Sequence, residues 1–268
     1  MPIRKIWDHA IDLKKTFVLQ KGRIYPLFKD KREEVQNLVE DQLRKGYIRL
    51  TKSPQTSPVF FISKKDRKKR IVMDYRNLNS QTVKNNYPLP LITELINNMG
   101  GKKVFTKIDL RWGFNNMRIK EGDEWKGAFM MYVGSFELTV MFFGMTNLPE
   151  IFQAIMNKIL RDLINKGKVV AFVDDVLVGI ETEEGHNEIV EEILRRLEEN
   201  DLYIKPKKYM WKVRKIEFLG VIIESDGIEI EKEKVEGVLS WPELKNMKDI
   251  RKFLGLTNYY RRFIKDFA

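Results

Sequence analysis

The sequence predicts an α+β fold built on an antiparallel sheet, and three observations lead there. Short β-branched and apolar runs alternate with helical patterns, without the regular strand–helix–strand spacing of a parallel sheet. Several of those runs come in pairs across a short turn, as hairpins do. Apolar residues make up 43% of the 268 positions and aromatics 11%, enough to bury a sizeable core in one large domain or two to three subdomains.

Taken in order, the first twenty residues read as a lead-in. Val35, Leu38, Val39 and Leu43 fall at helical spacing within residues 31–46, and Gly46 can stop that helix. Pro54 and Pro58 punctuate a loop before the strand VFFIS, and RIVMDY returns as its partner. Between them Lys64, Lys65, Arg67, Lys68, Lys69 and Arg70 are broken only by Asp66, so the hairpin carries a positive tip. Residues 87–92, YPLPLI, are extended because of their two prolines. VFTKIDL is a strand ending near Asp109, and residues 127–133 and 136–142 pair around Gly134-Ser135. A helix over about 148–165 follows, with Asn147 as N-cap and Glu150 completing a capping box. KVVAFVDDVLVGI reads as two short strands joined at Asp174-Asp175. Residues 183–200 form an amphipathic helix with Ile189, Ile193, Leu194 and Leu197 on one face. IEFLGVII and GIEIE make a further hairpin across Asp226-Gly227, and after Glu231 the pattern is helical through FLGLTNYYRRFI.

Composition removes whole classes of chemistry. No run of 18 apolar residues marks a membrane span, and the N-terminal sequence lacks the apolar stretch of a secretory signal, so an intracellular site, a cytoplasmic particle or the nucleus, is expected. Cysteine is absent, which excludes disulfides, a thiolate nucleophile and Cys-type zinc sites. His9 and His186 are too far apart in sequence to suggest a His-rich centre, so metal chemistry would be carboxylate chemistry with Mg²⁺ or Mn²⁺. The 49 Lys and Arg against 38 Asp and Glu leave a net charge of +11. Further basic clusters lie at Lys205, Lys207, Lys208, Lys212, Arg214 and Lys215 and at Arg251, Lys252, Arg261, Arg262 and Lys265, while residues 181–199 are acidic. That segregation of sign suits a polyanionic partner.

Asp174-Asp175 is the most informative pair. Adjacent carboxylates between apolar strands repel one another and favour partial protonation unless a cation compensates. Sheet pairing could bring Asp109, at the end of its own apolar strand, alongside them. Three carboxylates around two metal ions suit in-line phosphoryl transfer. The other reading is a plain hairpin turn, where Asp is common. On these residues alone both stand.

The motifs taken together add a resemblance. SPVFFISKKD…KRIVMDYRNLN, YPLPLI, FTKIDLRWGF, MFFGMTNLPEIFQAIMN, AFVDDVLV, PKKY, IEFLGVII and FLGLTNYYRRFI stand in the order found in reverse transcriptases. From about residue 20 onward the sequence resembles that family, and most closely its gypsy-type long-terminal-repeat retrotransposon members. The resemblance implies a right-hand polymerase: a lead-in over 1–20, fingers at 21–85 and 118–147, palm at 86–117 and 148–231, and the start of a thumb at 232–268, with no ribonuclease H domain. It implies RNA-directed DNA synthesis with two Mg²⁺ ions, Mn²⁺ being a substitute. The partners are then dNTPs and an RNA or DNA template with its primer, with no membrane; the oligomeric state is not implied. An RNA-making polymerase on the same palm and a catalytically silent nucleic-acid-binding remnant are the rival readings.

Residue by residue, Asp109, Asp174 and Asp175 look like the metal-binding triad, with Asp175 the least directly engaged. Lys64 and Arg70 match the residues that grip the incoming triphosphate. Leu110, Trp112 and Gly113 belong to the segment whose backbone N–H groups meet it. Phe114 resembles the aromatic under the sugar that excludes a 2′-hydroxyl, and Phe143 and Gly144 the loop on the nucleotide. Val173, Gln153, Phe218, Leu219 and Gly220 match residues facing template or primer. Lys208 resembles the lysine that protonates pyrophosphate, with Lys205 and Lys207 as rivals. The sequence departs from the family pattern at Phe142, where Pro is usual, at Leu148 and Glu150 around Pro149, at Arg67 and at Tyr209. None of these is one of the three aspartates.

Overall fold

The computed structural model describes residues 1–25, 32–63, 69–111, 113–205 and 209–267, with backbone alone at 61–63 and 69–71. In chain order the elements are α1 (Arg32–Arg44), β1 (Ile48–Leu50), β2 (Ser57–Ser63), β3 (Lys69–Met73), α2 (Arg76–Gln81), α3 (Ile92–Met99) and β4 (Val104–Asp109). Then come β5 (Phe129–Met131), β6 (Gly134–Leu138), α4 (Leu148–Ile159), α5 (Arg161–Asn165), β7 (Val169–Phe172), β8 (Asp175–Ile180) and α6 (His186–Glu199). The chain ends with β9 (Met210–Val213), β10 (Lys215–Phe218), β11 (Val221–Glu224), β12 (Gly227–Ile230), α7 (Lys232–Leu239) and α8 (Met247–Tyr259). Helices stand beside sheets whose pairings are almost all antiparallel, so the α+β reading holds; by their internal contacts the elements divide into two units.

The first unit comprises residues 1–89, 110–159 and 196–203. Its sheet has the order β1-β6-β5-β2-β3. All pairings are antiparallel except β2 with β5, which run parallel at Ser57↔Phe129 and Pro58↔Met130. The expected β2–β3 hairpin forms, with Val59 opposite Met73. The β5–β6 hairpin turns two residues earlier than expected: Met131 faces Gly134, so Tyr132-Val133 is the turn. The helix expected over 148–165 is two helices, α4 and α5, separated at Leu160. Asn147 is no N-cap. It stands at φ 70, whereas capping residues use extended backbone. Its amide instead accepts from the Asn85 N–H at 3.0 Å and donates to the Val83 carbonyl at 2.8 Å.

The first twenty residues are built into this unit. The His9 N–H donates to the Arg118 carbonyl at 2.8 Å, and its own carbonyl accepts from the Lys120 N–H at 2.8 Å. The Ile11 N–H donates to the Asp123 carboxylate at 2.7 Å, and both His9 and Ile11 are buried.

The second unit comprises residues 90–109, 160–195 and 204–268. It holds a four-stranded antiparallel sheet, β7-β8-β4-β9, and a three-stranded meander, β10-β11-β12. Leu95, Ile96 and Met99 of α3 share one core with Phe105, Val170, Leu177, Ile216, Phe218, Val221, Ile223 and Tyr260. Full burial of such a side chain stabilises by roughly 1.5–3 kcal/mol. Gly179 is needed for this fit, because a Cβ there would stand 2.7 Å from the Met99 sulfur. IEFLGVII is not one strand. It splits into β10 and β11 around Leu219 and Gly220, at φ 49 and 80, and β11 turns into β12 at Ser225-Asp226. Along α6 the buried stripe is His186, Val190, Ile193 and Leu197, rotated from the Ile189 and Leu194 expected to share it. No helix among the described residues is long and apolar enough to cross a membrane.

Burial pulls the His9 imidazole down to about 4, with Asp123 and Asp12 opposing the shift. The unfolded chain takes up that proton near pH 6.5, its ordinary value of about 6.5. His9 therefore leaves stability intact above that pH and erodes it as the pH falls toward 4. The loss between pH 7 and pH 5 should be about 2 kcal/mol. Urea unfolding at both pH values should show a smaller acid loss in His9→Gln; an identical loss would refute the assignment.

Candidate active site

Strand pairing decides where the acidic residues go. β4 and β8 pair without a break from Val104↔Ile180 to Asp109↔Asp175, so the last residue of one faces the first of the other. β7 meets the same end, with Phe172 opposite Asp175. The two-residue turn is therefore Val173-Asp174, not the aspartate pair: Asp175 already belongs to β8. Residues directly opposite in a sheet project from the same face, so the Asp109 and Asp175 side chains lie together, with Asp174 adjacent in the turn. Val173 takes φ 53, a left-handed conformation that a β-branched residue adopts only under constraint.

Like charges set opposite one another are destabilising. Burial pushes the Asp175 carboxyl up, and the charges of Asp174 and Asp109 push it further, against the pull of Lys107 and Lys205. The Lys205 ammonium pairs with the Asp109 carboxylate. The Lys205 backbone N–H also donates to the Asp109 carbonyl at 2.9 Å, tying this segment to the strand end. Lys107 directs its ammonium to the Glu217 carbonyl at 3.2 Å. Asp109 and Asp175 face each other at this sheet end, and among the described residues no group of three or more acidic or imidazole side chains is drawn together as a ready metal cage. Carboxylate oxygens, as hard donors, suit Mg²⁺ or Mn²⁺ rather than a softer ion.

Within the first unit, Phe114 sits in a short 3₁₀ turn, Gly113–Asn116. It is buried, with its ring edge-on to Phe143 at 5.0 Å and to Phe152 at 5.4 Å. Leu110 and Gly113 are buried and Phe143 is half-exposed. Gly144 takes φ 101, and its carbonyl accepts from the Asn79 amide at 2.7 Å. Gln153 is wholly buried and donates to Asn157 at 2.9 Å, which rules out a solvent-facing helix position. In the second unit Phe218 is wholly buried in the core, while Leu219 and Gly220 make the turn beside it. Arg70 is described through its backbone, which pairs with Ile62. Lys64, Trp112, Lys207 and Lys208 lie outside the described residues. Sequence reasoning named Lys205 as a rival to Lys208 but did not foresee that it pairs with Asp109. It also missed that Tyr259 reaches the Leu219 carbonyl.

Residues 62–223 match the family described as reverse transcriptase (RNA-dependent DNA polymerase). The chain is 35% identical over 253 residues to the retrovirus-related Pol polyprotein from transposon gypsy of Drosophila melanogaster, covering 92% of this chain and 24% of that protein. It is 36% identical over 242 residues to the transposon Tf2-3 polyprotein of Schizosaccharomyces pombe, covering 90% and 18%. The chain thus spans a quarter or less of the curated relatives it matches. Among solved structures, a foamy viral protease–reverse transcriptase in complex with double-stranded DNA superposes with a TM-score of 0.87 at 26% identity, over 98% of this chain and 46% of that one.

The Leu219-Gly220 turn allows a direct stability test. Gly220 stands at φ 80, and an added Cβ would lie 3.0 Å from the Tyr260 hydroxyl. Gly220→Ala should therefore destabilise the fold by about 1–2 kcal/mol in urea unfolding. An unchanged midpoint would mean that the turn tolerates a side chain.

Proposed function

The chain belongs to the reverse transcriptase family, and from that premise we propose that it is an RNA-directed DNA polymerase, extending the 3′-hydroxyl of a primer with dNTPs on an RNA or DNA template. The observation that carries the reading is the register setting Asp109 opposite Asp175, beside Asp174 in the turn. On this reading residues 21–85 and 118–147 are fingers, 86–117 and 148–231 palm, and 232–268 the start of the thumb.

Asp109, Asp174 and Asp175 would hold two Mg²⁺ ions, with Mn²⁺ as a substitute. Burial and mutual repulsion raise Asp175, and a divalent cation relieves that repulsion. When bound, such a pair supplies Lewis-acid activation of the attacking hydroxyl and neutralises the leaving pyrophosphate. The chain's own residues bind and orient. Lys64 and Arg70 hold the triphosphate by charge and forked hydrogen bonds, and Leu110, Trp112 and Gly113 offer backbone N–H groups. Phe143 and Gly144 pack on the nucleotide. Val173, Gln153, Phe218, Leu219 and Gly220 position template and primer. Lys208 gives the pyrophosphate its proton, with Lys205 and Lys207 as competing donors; the Lys205 contact with Asp109 supports a role close to the triad. Phe114, braced between two other rings, presents a fixed edge to the sugar and excludes a 2′-hydroxyl. Base choice comes from pairing with the template. The net charge of +11 favours holding both strands.

Asp174→Asn should abolish Mg²⁺-dependent primer extension while salt-sensitive binding to a primed duplex stays within about twofold. Retained extension would discard the triad assignment, and an inactive parent chain would favour a silent nucleic-acid-binding remnant. Phe114→Val should raise the ribonucleotide-to-deoxyribonucleotide incorporation ratio by about 10–100-fold. Because this is a ratio, any loss of folded protein cancels, and an unchanged value would refute the steric gate.

A further inference from the structure

The turn between β10 and β11 is strained at a residue that is not glycine. Leu219 takes φ 49 and Gly220 φ 80, so both turn residues are left-handed. Holding an ordinary L-residue there costs about 1–2 kcal/mol. Such a conformation persists only where its surroundings over-determine it. The flanking pair Phe218↔Val221 closes a two-residue hairpin, for which a turn left-handed at both residues is a favoured form, and Leu219 also packs against the core. Neither contact holds the Leu219 carbonyl itself.

The end of α8 adds a restraint on that carbonyl. The Tyr259 hydroxyl donates to the Leu219 carbonyl at 2.6 Å. Tyr260 is buried in the same core as Phe218 and Val221, and its ring meets that of Tyr259 edge-on at 4.8 Å. Leu256 and Phe263 pack against that core too, and Arg262 donates to Asn97 of α3 at 2.8 Å. Tyr259 therefore reaches the turn from a segment that is itself anchored. Part of its ring is open to solvent, so water could satisfy the hydroxyl; what this bond adds is a fixed direction for the carbonyl.

We propose that Tyr259 is a positioning residue for the polymerase reaction: its hydroxyl locks the strained Leu219-Gly220 turn in the one conformation that aligns the primer end. The proposal rests on the reading of that turn as a primer contact. Without the hydroxyl the strain is released and the turn samples several conformations, so the primer end is held in several registers.

The chain has no cysteine, so Leu219→Cys introduces a unique thiol. Full-length Leu219→Cys protein is mixed with primed duplexes carrying a thiol tether at successive primer positions, with Tyr259 intact or changed to Phe. With Tyr259, disulfide capture should concentrate at one primer position; with Tyr259→Phe it should spread over its neighbours. In the otherwise unaltered chain, Tyr259→Phe should slow the burst rate of single-nucleotide extension about fivefold, the loss of one hydrogen bond, without lowering the burst amplitude. Capture at one position in both backgrounds would overturn the positioning role and leave the primer contact standing. Capture at no position in either would overturn the primer contact, and the positioning role with it. A lowered amplitude at an unchanged burst rate would mean that Tyr259 only supports the fold.

Discussion

Two carboxylates that repel each other are held face to face because the strands carrying them have no freedom to slip. β4 and β8 pair along six consecutive positions, and Phe105, Thr106 and Ile108 on one strand and Val176, Leu177 and Val178 on the other are buried. Successive side chains point to opposite faces, so both faces of this pair are buried, and a shift of one residue would exchange side chains fitted to two different packing environments. The core therefore sets the register, and the register delivers Asp109 to Asp175. Lys205 offsets part of the resulting charge, and on the proposed reading divalent cations would offset the remainder.

The departures from ordinary backbone geometry recur at the segments that carry the family's motifs. Val173 precedes the aspartate pair at φ 53, Leu219 opens the meander turn at φ 49, and Asn147 introduces α4 at φ 70. Each would relax if its surroundings allowed. Asn147 is held by its amide bonds to residues 83 and 85, and Leu219 by the Tyr259 hydroxyl. Strain of this kind tends to gather where a chain must present backbone groups in one orientation.

The first unit shows a different economy, in which function and packing share side chains. Phe114 is both a core residue and the proposed sugar gate, since its contacts with Phe143 and Phe152 are what keep the ring still. Gln153 is buried in α4, so any contact it makes with nucleic acid passes through a side chain already oriented by Asn157. Burial at these positions is therefore compatible with the proposed roles and does not by itself exclude them.

Local pattern supplied the α+β class and most of the longer strands and helices, but not β1, α2, α3 or β9, and it marked the three aspartates as candidates, because alternation and helical spacing are properties of short stretches of chain. The resemblance of motifs named the family for the same reason. Turn positions were misplaced, by two residues at Tyr132-Val133 and by one at Val173-Asp174 and Ser225-Asp226, since cross-strand register depends on which side chains the core accepts rather than on local turn preference. Asn147 looked like a cap because its spacing to Glu150 is right, yet a partner more than sixty residues away claimed its amide. The docking of residues 9–11, the Lys205 contact and the reach of Tyr259 to Leu219 join segments distant in sequence. Such contacts leave no periodic trace, so only the folded chain could decide them.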